Sequence, residues 1–185
     1  AISAHSLTRE PLLLAGERHE AVYDFSGFPE ALYRLRYDAP GAPGLADRVA
    51  SLMRAAGLPA HVRPDSGLDH GIWTPLRSMY PEADIPVCQL SIDRDADPET
   101  HFRIGQALAP LRDEGVLVLG SGNVVHNLAL VDWSNEGGFP WAEDFDDVIV
   151  LGPSFEQPKR DPNAPRPATM PRDIFQMSGP AHEAK

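Results

Sequence analysis

The sequence predicts an α/β domain with a mostly parallel central sheet flanked by helices and a site at the carboxyl ends of the strands. Three observations carry that expectation. Val116-Leu-Val-Leu119 and Ile85-Pro-Val-Cys-Gln-Leu-Ser-Ile92 are short apolar runs bounded by turn residues, the pattern of strands covered on both faces. Segments of helical periodicity alternate with such runs, and strand–helix–strand order implies right-handed crossovers. Polar residues, histidines among them, stand where several runs end, and in open parallel sheets ligands gather beyond those ends.

Taken in order, Ala1-Ile-Ser-Ala-His5 reads as the last half of a strand with His5 at its exit, so the domain is expected to begin upstream of this chain. Leu12 to Ala21 is mixed, and its Glu17-Arg18-His19-Glu20 run reads as an exposed turn with His19 solvated. Tyr23 to Pro29 is an aromatic-rich loop whose rings either plug the core or wall a pocket; a short helix follows to Arg34, with Pro29 in its first turn. After the Pro40-Gly-Ala-Pro-Gly44 turn, Leu45, Val49, Leu52 and Ala56 recur on one helical face, and Gly57 stops the helix.

Ala60 to Arg63 alternates like a short strand, which makes His61 an ordinary strand residue. In Gly67-Leu-Asp-His-Gly71, two glycines bracket an acid and an imidazole just before a helical segment, Ile72 to Met79. Asp69 is placed to cap that helix. His70 either is incidental to the turn or points into a pocket. Pro98 opens a helix carrying Ile104, Ala107, Leu108 and Leu111; Pro110 would cost about 3 kcal/mol in a regular interior, so a kink or early end is expected there.

The strand at Val116 is expected to leave through Gly120-Ser-Gly122 toward His126, which either packs in a core turn or serves a site. Three polar exits, carrying His5, Asp69 with His70, and Ser121 with His126, are expected to converge on one edge of the sheet. Farther on, Trp133, Phe139 and Trp141 form a second aromatic loop and Trp141 to Val150 an amphipathic helix. The domain is expected to span 1–150. Six prolines between Pro153 and Pro171 mark 151–185 as an extended or disordered tail.

Composition narrows the function classes. The 185 residues carry a net charge of −11 with no basic stretch, which argues against a phosphate-backbone partner and an anionic membrane surface. The single cysteine, Cys88, lies in an apolar run and suits a buried thiol in a reducing, cytoplasmic setting. No apolar run approaches the roughly 18 residues that a membrane helix needs, so a soluble protein is expected. Ser121 invites a hydrolase reading, but a nucleophile elbow needs glycine two residues to either side, where Leu119 and Asn123 stand.

Several motifs together resemble a known family. Gly67-Leu-Asp-His-Gly71, Trp73 with Leu76, Met79-Tyr-Pro81, Ala83-Asp-Ile-Pro86, Gln89-Leu-Ser-Ile-Asp93 and Gly120-Ser-Gly-Asn-Val-Val-His-Asn127 resemble the class III extradiol ring-cleavage dioxygenases, in the branch containing 4,5-DOPA dioxygenase. Ile2-Ser-Ala-His5, Asp24-Phe25, Gly27-Phe28-Pro29 and Tyr37-Asp-Ala-Pro-Gly41 fit the same branch. The likeness covers roughly 1–142.

The resemblance implies a mononuclear non-haem Fe(II) enzyme, with zinc an alternative in the same site, that opens a catechol ring with O2. It implies His5 as a metal ligand, His126 as the acid/base that takes a catechol proton, and His70 as a group that hydrogen-bonds substrate or oxygen. Asp69 and Ser121 then fall beside the substrate. The family's first metal histidine lies in a loop upstream of the equivalent of Ala1. Its remaining ligand comes from a late His-Pro-Thr-Pro-Glu-His type motif, near whose place this chain has His182. A catalytically silent metal- or small-molecule-binding relative is the alternative reading, and a homo-oligomer is compatible with either.

Overall fold

A computed structural model of the protein describes residues 1–65, 67–123, 130 and 138–150, with backbone alone for 146–150. The chain divides into two compact units, Ala1–Gly122 and Asn123–Lys185.

The first unit is built on a five-stranded sheet: β1 (Ile2–Thr8), β2 (Leu12–Leu14), β3 (His61–Arg63), β4 (Gln89–Asp93) and β5 (Gly120–Ser121), in spatial order β3-β2-β4-β1-β5. β1 runs parallel to β4 and β5, and β2 parallel to β3; only the β2–β4 pair is antiparallel. β2 follows β1 after three residues, too few to carry the chain back to a parallel start on the far side of β4, so β2 runs against both. The expected mostly parallel α/β sheet is therefore present, with one antiparallel pair.

Helix α1 (Pro43–Ala55) packs with α3 (Pro98–Leu108), and α1 also packs on β2 and β3. Their shared core gathers Val49, Met53, Ile104, Leu108 and Leu111 against Leu13 and Leu90. Helix α2 (His70–Met79) lies against β1 and belongs to a second core, where Ile72, Trp73 and Leu76 meet Tyr37, Ala39 and Val87. α1 ends as its sequence requires: Gly57 takes φ +71°, and the Leu58 N–H returns to the Met53 carbonyl at 2.9 Å. α3 gives way to a 3-10 turn at Ala109–Glu114, the early end that Pro110 imposes.

Four local expectations change. β1 continues past His5 to Thr8, so His5 lies within the strand rather than at its exit. Val116–Leu119 is not a strand buried on both faces: pairing starts only at Gly120, and Leu117 is 61 % exposed. The reason is position, since among the described residues β5 lies at the edge of the sheet with β1 as its one neighbour. Leu12–Leu14 forms a strand where a mixed segment was expected. His19 is fully buried, not solvated.

The second unit contributes one described helix, α4 (Pro140–Val150), at the place expected for an amphipathic helix. At its start the rings of Phe139 and Trp141 stack at 6.1 Å, and Glu143 accepts from the Gly138 N–H at 3.2 Å.

Candidate active site

Strand β1 does not pair evenly. Its register with β4 slips between Ile2 and Leu7, where four intervening residues of β1 stand opposite the single Ser91. Such a bulge re-aims side chains, and His5 lies inside it. The bulge is held from within, the Ser3 hydroxyl accepting from the His5 N–H at 3.1 Å.

Ser3 also donates to Oδ1 of Asp69 at 2.6 Å. That same oxygen accepts from the Gly71 N–H at 2.8 Å, which makes Asp69 the N-cap of α2 as the sequence anticipates. A third contact to Asp69 runs through its own backbone, whose N–H donates to Oε1 of Gln89 on β4 at 3.4 Å. Asp69 is 8 % exposed, and its Oδ2 has no hydrogen-bond partner among the described residues.

His70 follows at the first turn of α2. Its ring lies 4.0 Å from that of His5, centroid to centroid, and meets Phe25 edge-on at 5.5 Å. Asp24 anchors it twice, accepting from the His70 backbone N–H at 3.0 Å and lying 2.8 Å from Nδ1. Burial pushes the Asp24 carboxyl upward, but the two His70 hydrogen bonds and the nearby imidazole charge outweigh it and hold the group below the usual carboxylate range. Behind these groups Tyr23, Phe25, Tyr33 and Trp73 form a connected aromatic cluster, and the Trp73 indole donates to the Val22 carbonyl at 2.9 Å. The aromatic loop thus both fills core and walls the site.

The fold accordingly brings His5, Asp69 and His70 into one cluster. Ser121 on β5 pairs in register with Ser3, two residues from His5. His126 and His182 lie outside the described residues. His61 stays apart, exposed on β3 beside Glu10. Ser3, Asp24 and Gln89 were not singled out from sequence. Ser3 had a signal, the two-residue spacing from His5 that puts both on one face of a strand; Asp24 had only its place in a motif.

Asp24, Asp69 and His70 offer ligand atoms within 4.8 Å of one another. Imidazole and carboxylate are donors that divalent transition metals accept, and a buried carboxylate oxygen without a partner is what a cation would satisfy. The residues therefore fit a metal in chemistry. A cation between Asp24 and His70 Nδ1 would have to displace the proton that joins them.

Paired imidazoles and carboxylates beside the bulge of β1, in a mostly parallel α/β unit, are a donor set of the kind that a metal-assisted site would use. Residues 2–151 match the family of the catalytic LigB subunit of aromatic ring-opening dioxygenase, and the chain belongs to that family. It is 48 % identical to a 4,5-DOPA dioxygenase extradiol of Beta vulgaris, over 84 % of this chain and 60 % of that protein. Against the protein of the same name from Escherichia coli K12 it is 43 % identical, over 85 % and 58 %. The crystal structure of an uncharacterized protein from Escherichia coli K12 superposes with a TM-score of 0.68 at 40 % identity, over 85 % of this chain and 59 % of that one. The chain thus spans about three fifths of the length of these relatives.

Proposed function

We propose that this chain is part of an extradiol dioxygenase that opens a DOPA-like catechol with O2 at a mononuclear non-haem Fe(II), zinc being the alternative ion. The observation that carries the reading is the His5–His70 pair at 4.0 Å, flanked by Asp24 and Asp69, in a member of a ring-opening family. When bound, the metal supplies a Lewis-acidic, redox-capable centre at which catechol and O2 meet. His5 would hold it, with His182 the candidate second ligand.

The remaining roles fall to side chains. His126 takes a proton from a catechol hydroxyl and returns it to the product, a task suited to an imidazole titrating near neutrality. His70, Asp69 and Ser121 bind the substrate's hydroxyls and orient the ring. Phe25 and its neighbours exclude water from the side behind His70. Both atoms of O2 end in the product, and the ring bond beside the two hydroxyls is the one broken. The buried lone thiol of Cys88 supports a reducing, cytoplasmic setting.

The test loads the purified chain anaerobically with Fe(II), measures bound iron, then follows oxygen uptake and the yellow ring-opened product from DOPA. About one iron per chain with product is the expected result. Iron without turnover would favour the silent metal-binding relative, and neither would end the reading for this chain.

A further inference from the structure

One oxygen of Asp24 engages His70 twice: its backbone N–H at 3.0 Å and its Nδ1 at 2.8 Å. An ionised carboxylate only accepts, so Nδ1 must carry the proton and Nε2 of a neutral ring is left with the lone pair. Water favours the other tautomer of a histidine side chain, which makes this arrangement one that the protein imposes. The ring cannot turn over without giving Asp24 a carbon in place of Nδ1, and its plane is set by His5 at 4.0 Å and by the Phe25 edge at 5.5 Å. The His70 side chain keeps 27 % exposure, so the ring is reachable from solvent.

We infer that Asp24 is a positioning residue: it holds His70 as the Nδ1–H tautomer, so that Nε2 meets a ligand as a hydrogen-bond acceptor and selects for an O–H donor. The identity of that donor, a catechol hydroxyl, rests on the dioxygenase reading; the tautomer does not. The assignment divides the labour in the pocket. A donor at this position would suit an already ionised oxygen, whereas an acceptor suits a hydroxyl that still holds its proton.

The experiment is a long-range 1H–15N correlation spectrum of the 15N-histidine-labelled chain at about pH 8, where an ordinary imidazole is neutral. The His70 signals are those lost in His70→Gln. In the native chain and in Asp24→Asn, whose amide oxygen still accepts, Nδ1 should be protonated and Nε2 not. Asp24→Ala should move His70 to the Nε2–H form. Should Asp24→Ala fail to fold, Asp24→Ser replaces it, since a hydroxyl can still serve the backbone N–H but stops short of the ring.

Three results would overturn the assignment: an Nε2–H ring in the native chain, an unchanged Nδ1–H ring in a folded Asp24→Ala, or loss of the Nδ1 proton on adding Zn(II), which would make Nδ1 a metal ligand. Catechol titrated into the same samples should bind about tenfold more weakly to Asp24→Ala, the equivalent of about 1.4 kcal/mol, and equal binding would remove the acceptor role. Native chain that binds no catechol would end the dioxygenase reading while the tautomer result stands by itself.

Discussion

Gly71 leaves no room for a side chain. A Cβ there would come within 2.4 Å of the Ser3 hydroxyl, 2.9 Å of Asp69 Oδ1 and 3.1 Å of the His5 ring, so this one position keeps strand and helix close enough for the cluster to form. Gly71→Ala should lower stability by about 1–3 kcal/mol, read from urea unfolding, and weaken metal binding in titrations of the folded variant. His19 makes a second residue-scale case. Fully buried, it lies 3.0 Å from the Val87 carbonyl through Nε2 and accepts from the Gly67 N–H at 3.3 Å through Nδ1, which ties the loop leading into Asp69 to the segment just before β4. Burial drives its pKa down, and the Val87 bond opposes it only in part. The unfolded chain therefore takes up a proton at higher pH than the folded one. Stability should be whole above about pH 6.5 and decline as pH falls below it. Urea midpoints measured from about pH 8 to about pH 5 should show that decline, and His19→Gln should flatten it. Nothing in the charged run around His19 discloses its burial, because flanking exposed residues say nothing about which carbonyl folds over the one between them.

Helix α2 owes its place to its first turn. The Asp69 cap takes the Gly71 N–H and joins α2 to β1 through Ser3, and Asp24 takes the His70 N–H just before it, so the amino end of the helix is fastened before its apolar face is counted. Asp69→Ala should cost about 1–2 kcal/mol and Asp69→Asn distinctly less, since both Asp and Asn cap well; urea titrations of the two variants separate the cap from the charge. This much was readable, because capping is a local code: an acid before a helical pattern, with glycine after it. The β1 bulge was not. Ile2-Ser-Ala-His5 carries the alternation of a plain strand, and the slip appears only when β4 is laid beside it in register. The Val116 run misled for the same kind of reason, since periodicity reports how apolar a segment is and not whether a strand lies on each side of it.

Across the first unit, two cores meet along one short stretch of chain, with Leu90 of β4 in one and Val87, just before β4, in the other. Such an arrangement should unfold as a whole. Met53, fully buried on the α1 side, and Trp73, on the α2 side, give the test: in a chain whose other two tryptophans, Trp133 and Trp141, are replaced by Phe, Met53→Ala should cost about 2–5 kcal/mol and shift the Trp73 fluorescence transition as far as the far-UV CD transition. A shift in CD alone would mean that the two sides melt separately. Among the described residues no helix is long and apolar enough to cross a membrane, in keeping with the charged composition.

The sequence by itself determined the class of fold, the Asp69 cap and the Gly57 stop of two helices and, through its motifs, the family and three of the residues that meet in the candidate site: His5, Asp69 and His70. All of these depend on short-range order along the chain, where periodicity, turn chemistry and motif spacing act. Only the tertiary structure decided that β2 runs against β4, that His5 lies in a bulge, that His19 is inside, and that Asp24, 46 residues from His70 along the chain, holds its ring. Those depend on which distant segments come to lie side by side, and a hydrogen bond between residues so far apart leaves no trace in the spacing of either.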